Sequence, residues 1–216
     1  MQDIINKTAE NLRKNNMETF VVDKKTDIIP LIKTLLPKGS SVGVGGSASL
    51  NEIDFIPFLR NGDYKFFDRH KEGLSREEAL QVMTDALSAD VFFTSSNAIT
   101  EDGTLYNVDG NGNRIAALCF GPKKVIVVAG ANKIVKDLKQ AEIRVKKIAA
   151  PKNCVRLGLE TYCSKTGECV SLKKDDPIMY DGCQSSCRIC SSYLITGFQR
   201  IPNRIKVIIC KESMGY

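Results

Sequence analysis

A chain of 216 residues lies near the upper end of one ordinary domain and can bury a core without disulfides to hold it. Charged residues make up 26% and hydrophobic ones 43%, no apolar run approaches the roughly 20 residues of a membrane span, and Met1 to Lys14 lacks the apolar stretch of a signal peptide. A net charge of +6, from 31 basic and 25 acidic residues spread without blocks of one sign, suits an anionic small ligand and argues against nucleic acid. The expectation is a cytoplasmic protein with neither nucleic acid nor membrane as partner.

Helix and strand alternate along the chain. Met1 to Lys14 reads as an amphipathic helix, Thr19 to Val22 as a short strand, and Thr26 as the cap of a helix reaching about Leu36. The strand Ser41 to Val44 enters the turn Gly45-Gly46, after which Ser47 can cap a helix bearing Leu50, Ile53 and Phe58. Tyr64 to Phe67 is a further strand. Ser75 with Glu78 forms a capping box before a helix whose apolar stripe holds Ala79, Leu80, Val82, Met83 and Leu87. Beyond the strand Val91 to Thr94, turn residues at 101–103 and 109–112 predict β-hairpins between 97 and 121. Lys124 to Ala129 is the clearest central strand, Asn132 opens a long helix that ends before Pro151, and Arg204 to Cys210 is a returning strand. This order predicts one α/β domain over 1–216, with a mostly parallel sheet covered by helices on both faces and an irregular cysteine-rich segment at 152–202.

Eight cysteines without an export signal point to metal or redox chemistry, because the cytosol keeps thiols reduced. Five of them, Cys163, Cys169, Cys183, Cys187 and Cys190, fall within 28 residues. Structural zinc sites show two close pairs of ligands, whereas here only Cys187 and Cys190 form one, and His70, the single histidine, lies far off in sequence. The spacing favours an iron-sulfur cluster of the four-iron type, [4Fe-4S], with one cysteine to spare, over zinc or over free, redox-active thiols. Cys119, Cys154 and Cys210 sit in apolar company and read as packing.

Two further features face a ligand. Gly43-Val44-Gly45-Gly46-Ser47-Ala48 fits a loose dinucleotide fingerprint, and Asp68 stands twenty residues after Ala48, where an acid would meet a ribose. A tight turn without ligand fits the same residues. Glu101, between a strand and a glycine turn, offers a nucleophile or general base, or else a solvated turn residue. Asn113-Arg114 and Asn132-Lys133 offer donors for an anion.

Taken together, these residues resemble the lactate-utilisation (LUD) domain family, whose members share the NagB/RpiA/CoA-transferase-like α/β fold. The resemblance runs through Gly45-Gly46-Ser47, Ala89-Asp90, the stretch from Ala98 to Leu105, Gly112-Asn113-Arg114, Gly121-Pro122, and Val125 to Gly130 with Asn132 to Val135. It makes the glycine turn a substrate or anion loop rather than a nucleotide site. Stand-alone members end in P-C-x-x-T-G-x-C and then C-x-S-P-x-R-I-C, which Tyr162 to Cys169 and Cys183 to Cys190 match. That implies Cys163, Cys169, Cys183 and Cys190 as the ligand set and leaves Cys187 as an alternate. Tyr162 in place of the proline, the inserted Lys173 to Asp176, and Cys187 itself depart from the pattern. The implied function is an iron-sulfur redox or accessory protein of lactate or related organic-acid metabolism. Redox proteins would be its partners, a homodimer is allowed, and the anion pocket would comprise Gly45 to Ser47, Glu101 and Arg114. An acyl- or CoA-transferring enzyme with Glu101 as nucleophile and a structural metal is the alternative, and a non-enzymatic binding module a third.

Overall fold

The computed structural model describes residues 1–216. Helix α1 (Gln2–Lys14) turns one stripe inward, with Ile5, Ala9 and Leu12 buried, and carries Asp3 in its first turn and Arg13 and Lys14 in its last, each at the end its charge suits. Strand β1 (Glu18–Val22) leads through a 3-10 turn into α2 (Ile28–Leu35). Asp27, not Thr26, anchors that entry, by accepting a hydrogen bond from the Lys24 amide. Strand β2 (Ser41–Val44) ends at the glycine turn. The next helix breaks at Asp54, which has φ +51°, into α3 (Ala48–Asn51) and α4 (Phe55–Arg60). Strand β3 (Lys65–Phe66), α5 (Arg76–Asp85) and β4 (Val91–Thr94) follow, and Ser75 and Glu78 close the capping box. None of α5 is buried and Leu80 is 56% exposed, so of the expected apolar stripe only Leu87, just beyond the helix, packs against the core.

The stretch 97–121 holds one hairpin, not several. Strands β5 (Ala98–Thr100) and β6 (Leu105–Asp109) pair antiparallel, but Asn113–Cys119 is helix α6. After β7 (Lys124–Gly130), Ile134 and Val135 form β8, pairing with β5, and no helix begins at Asn132. The helix starts instead where Asp137 accepts the Gln140 amide hydrogen bond, and it runs as α7 (Leu138–Arg144), a wide π turn (Val145–Ala149) and α8 (Ala150–Arg156). It therefore passes Pro151, whose missing amide falls just after a turn in which the bonding ladder is already displaced. Helix α9 (Tyr162–Thr166), β9 (Ser192–Thr196) and β10 (Ile205–Cys210) complete the chain.

Six strands form a parallel sheet in the order β1-β10-β7-β4-β2-β3. Val125, Val127 and Ala129 of β7 face α1, while Ile126 and Val128 face α2 and α4, which explains the uninterrupted apolar run. At Gly43 a Cβ would lie 2.7 Å from the Phe92 ring, so β2 and β4 approach closely only because that residue is glycine. A second sheet, β8-β5-β6-β9, lies outside the alternating pattern. In the first sheet β2 is flanked by β3 on one side and β4 on the other. The direction of winding reverses there, which opens a crevice at the carboxyl ends of these strands. No helix is long and apolar enough to cross a membrane.

Candidate anion pocket and cysteine cavity

A cavity of about 270 Å³ occupies that crevice. Gly46 and Ser47 after β2, Arg69 after β3, Ser95 after β4 and Lys133 after β7 bring the ends of four parallel strands to its wall, which Asn113, Arg114 and Arg156 also line. Ser47 is not a free ligand, since its Oγ accepts the Leu50 amide hydrogen bond and caps α3. Gly45 lies behind the wall, where a Cβ would stand 3.2 Å from the Arg114 side chain, and one on Gly46 would stand 3.0 Å from Arg69 Nη2. The two glycines thus let the turn settle against the aliphatic stem of Arg114 and the guanidinium of Arg69.

The cations of this cavity differ in how they are held. Arg114 spends all of its N–H groups on the protein: Nε donates to Asp109, Nη1 to Ser95 O and Asn107 Oδ1, and Nη2 to Asn97 Oδ1 and Val108 O, at 2.6–2.9 Å. It sets the shape of the wall rather than presenting a fork to an anion. Arg69, Arg156 and Lys133 form no ion pair at all. Arg69 donates only to His70 Nε2 and Met83 Sδ, and burial and then the Arg156 charge hold its pKa below the ordinary guanidinium value. Arg156 reaches Asn153 and the Tyr216 hydroxyl. Lys133, 4% exposed, donates to Ser49 Oγ and Ser95 Oγ, each at 2.9 Å, and burial pushes its pKa down to about 7. Asp109, already bonded to Arg114, is the one carboxylate side chain on the wall, so the cavity carries an excess of positive charge suited to an anion.

A second, smaller cavity of about 20 Å³ is lined by Cys163, Cys169, Cys183 and Cys190 together. Cys187 is exposed and lies outside it. Arg188 orders this segment, donating from Nε to Cys190 O and, at 3.2 Å, to Cys190 Sγ, and from Nη1 and Nη2 to Cys183 O and Tyr180 O. Gly182 admits it, because a Cβ there would fall 2.8 Å from Arg188 Cζ. Tyr106 lines the same cavity, and its hydroxyl is buried and has no hydrogen-bond partner. Beneath it, Lys146 and Glu142 form a buried ion pair at 2.7 Å. Cys154, read from sequence as packing, lies 3.8 Å from Cys163 Sγ, and burial pushes its thiol pKa up.

The family model for the LUD domain matches residues 5–210. This chain belongs to the LUD domain family. No curated protein matches it. The crystal structure of a DUF162 family protein from Deinococcus radiodurans resembles it in fold, with a TM-score of 0.50 at 16% identity and 97% of each chain covered. As a family, LUD domains are associated with lactate utilisation.

Within this LUD domain, Gly46, Ser47, Asn113, Arg114 and Lys133 reach the cavity that sequence placed them around. Asn132 does not, because its Oδ1 and Nδ2 are bonded to the backbone of Met214 and Gly215. Glu101 is also elsewhere. It stands at the β5–β6 turn, while the cavity meets the other end of that hairpin, and it pairs with Lys7 of α1 at 2.9 Å. Glu101 thus lines neither this cavity nor the one among the cysteines. Asp68, the candidate ribose ligand, is bonded to Arg60 and to the His70 amide. Arg69, Arg156, Ser49, Ser95 and Tyr106 had no spacing that announced them, since each comes from a different element and only the fold brings them together.

The four motif cysteines are soft thiolate donors of the kind that hold a cluster or a zinc ion, and they line one cavity. One zinc would hold its sulfurs roughly 3.8 Å apart, given Zn–S bonds of about 2.3 Å. No three histidine, cysteine or carboxylate side chains converge to that extent. A four-iron cluster is a larger body than a cavity of about 20 Å³ takes, so the four cysteines would part to admit one, and the unpartnered Tyr106 hydroxyl would then be a donor toward its sulfurs.

Proposed function

We propose that this LUD domain binds an anionic organic acid in the cationic cavity and an iron-sulfur cluster, [4Fe-4S], on Cys163, Cys169, Cys183 and Cys190. In that role it acts as a redox or accessory protein of lactate or related organic-acid metabolism, exchanging electrons with protein partners. The observation that carries this reading is that the two cavities adjoin: Cys190, Val145 and Ala150 line both. A bound acid and a cluster would then be separated by little more than one side chain. The wide turn Val145–Ala149 forms the partition, in keeping with the frequency of π turns at functional sites.

A cluster bound there supplies one-electron chemistry. The chain's own residues do the rest. Arg69, Arg156 and Lys133, free of carboxylate partners, hold and orient the acid group, while Val145, Ile189 and Leu157 keep one side of the cavity apolar and limit water. Arg188 holds Cys190 in place through the bonds to its carbonyl and sulfur.

Anaerobic purification of the full chain with iron, zinc and acid-labile sulfide analysis tests this. A brown protein with about four irons and four sulfides per chain supports it. A colourless protein with stoichiometric zinc rejects the redox half.

A further inference from the structure

Lys133 is built into the cavity as a nucleophile would be. Its amine is taken out of water, no carboxylate lies within ion-pair distance, and the charges that act on it most after burial itself are the cations Arg144 and Arg114, with Glu52 opposing them. Burial beside other cations is the usual route by which a lysine becomes neutral enough to attack a carbonyl. The local hydrogen bonds add a direction. Two N–H vectors of Nζ point to Ser49 Oγ and Ser95 Oγ. A tetrahedral nitrogen so bonded, with Cε as its third neighbour, has one position left, which in the neutral amine belongs to the lone pair. Lys133 lines the cavity together with Arg69 and Arg156, whose guanidiniums have no carboxylate partner.

We propose that Lys133 forms an imine with a 2-oxo carboxylic acid bound in this cavity, the carboxylate taken by Arg69 and Arg156 and the adjacent carbonyl carbon by Nζ. In the step, the lone pair of Nζ forms the C–N bond as the carbonyl π bond opens. Both hydrogens of the amine leave with the carbonyl oxygen as water, and a C=N bond remains. Ser49 and Ser95, each 2.9 Å from Nζ, are placed to relay those protons. No oxidant or metal enters. A 2-hydroxy acid offers the same carboxylate but no electrophilic carbon, so it occupies the site without a bond. The inference rests on the reading of the cavity as an organic-acid site and narrows it: the oxo form is held covalently, the hydroxy form is not.

The full chain is incubated with pyruvate or with lactate, treated with cyanoborohydride, and digested for peptide mapping, while calorimetry follows binding of lactate. One adduct per chain from pyruvate, on the Lys133 peptide, saturable and suppressed by lactate, is the expected result. Lys133→Arg, which keeps a long basic side chain but removes the nucleophilic amine, lowers trapping at least about tenfold. If lactate binds but pyruvate labels only exposed lysines and leaves the Lys133 peptide unmodified, the imine is overturned and the acid site stands. If neither acid binds, both readings fall. The mapping is done on the unsubstituted chain, so the outcome does not depend on whether a variant folds.

Discussion

Lys133 makes the residue scale measurable without any ligand. Its folded pKa of about 7 lies below the unfolded value of 10.5. Between these limits the unfolded chain binds more protons, so stability rises with pH; the cost of the buried charge is fully present below about 7 and fades as pH approaches 10.5. Lys133→Met, which keeps length and removes the charge, is expected to stabilise the fold by on the order of a few kcal/mol at pH 6 and much less at pH 10. Urea unfolding at the two pH values checks this, and equal shifts would mean that the amine stays charged throughout. Tyr106 is the second residue of this kind. Its hydroxyl is buried without a partner, so Tyr106→Phe should leave the melting temperature of metal-free protein unchanged or higher. In cluster-loaded protein the same change should move the reduction potential to more negative values, because a donor to sulfur favours the more negative, reduced state. Potentiometric titration of both proteins reads the difference.

At the scale of elements, β2 and β4 are joined at their amino ends by side chains as well as by the ladder. Asp90 accepts from Ser41 N and Oγ at 2.9 and 2.7 Å, and its own amide donates back to Ser41 Oγ at 2.8 Å. Lys123 and then Ser41 hold the Asp90 carboxyl well below the usual carboxylate range. Ser41→Ala and Asp90→Ala should each lower the melting temperature by a few degrees, about what loss of a net hydrogen bond or two brings. The double variant should lose less than the sum, since either change alone breaks the shared bonds. Additive losses would sink the idea of a joint clamp. Legibility in sequence also divides at this scale. Ser75 and Glu78 announced α5 correctly, because a capping box is a contact between residues three apart. The β8 pair Ile134-Val135 was hidden, because its partner Ile99-Thr100 is remote in the chain and the same apolar residues also fit a helical stripe. The π turn was equally hidden, since nothing in Val145 to Ala149 marks a change of bonding from i−4 to i−5.

For the whole molecule, adjoining cavities imply linkage. A thiolate-bound cluster carries net negative charge, and an acid bound across Cys190 from it feels that charge through a low-dielectric partition. Lactate should bind metal-loaded protein about fivefold more weakly than stripped protein, and saturating lactate should weaken metal retention by the same factor. Calorimetry on the two forms, with chelator competition, measures both arms; independence of the two would show that the partition insulates them. Cys187→Ser, outside the cavity, is the matched control that should alter neither. The sequence alone announced the six strands of the parallel sheet and the helices α1, α2 and α5, because alternating buried runs and turn residues are local signals, and its family resemblance singled out the four cysteines that share a cavity. Tertiary structure decided the second sheet, the use of Arg114 as a wall brace, the removal of Glu101 to the far end of its hairpin, and the meeting of Arg69, Arg156 and Lys133. Those outcomes depend on which strand ends converge at the reversal of winding, and convergence of remote segments leaves no local periodicity to read.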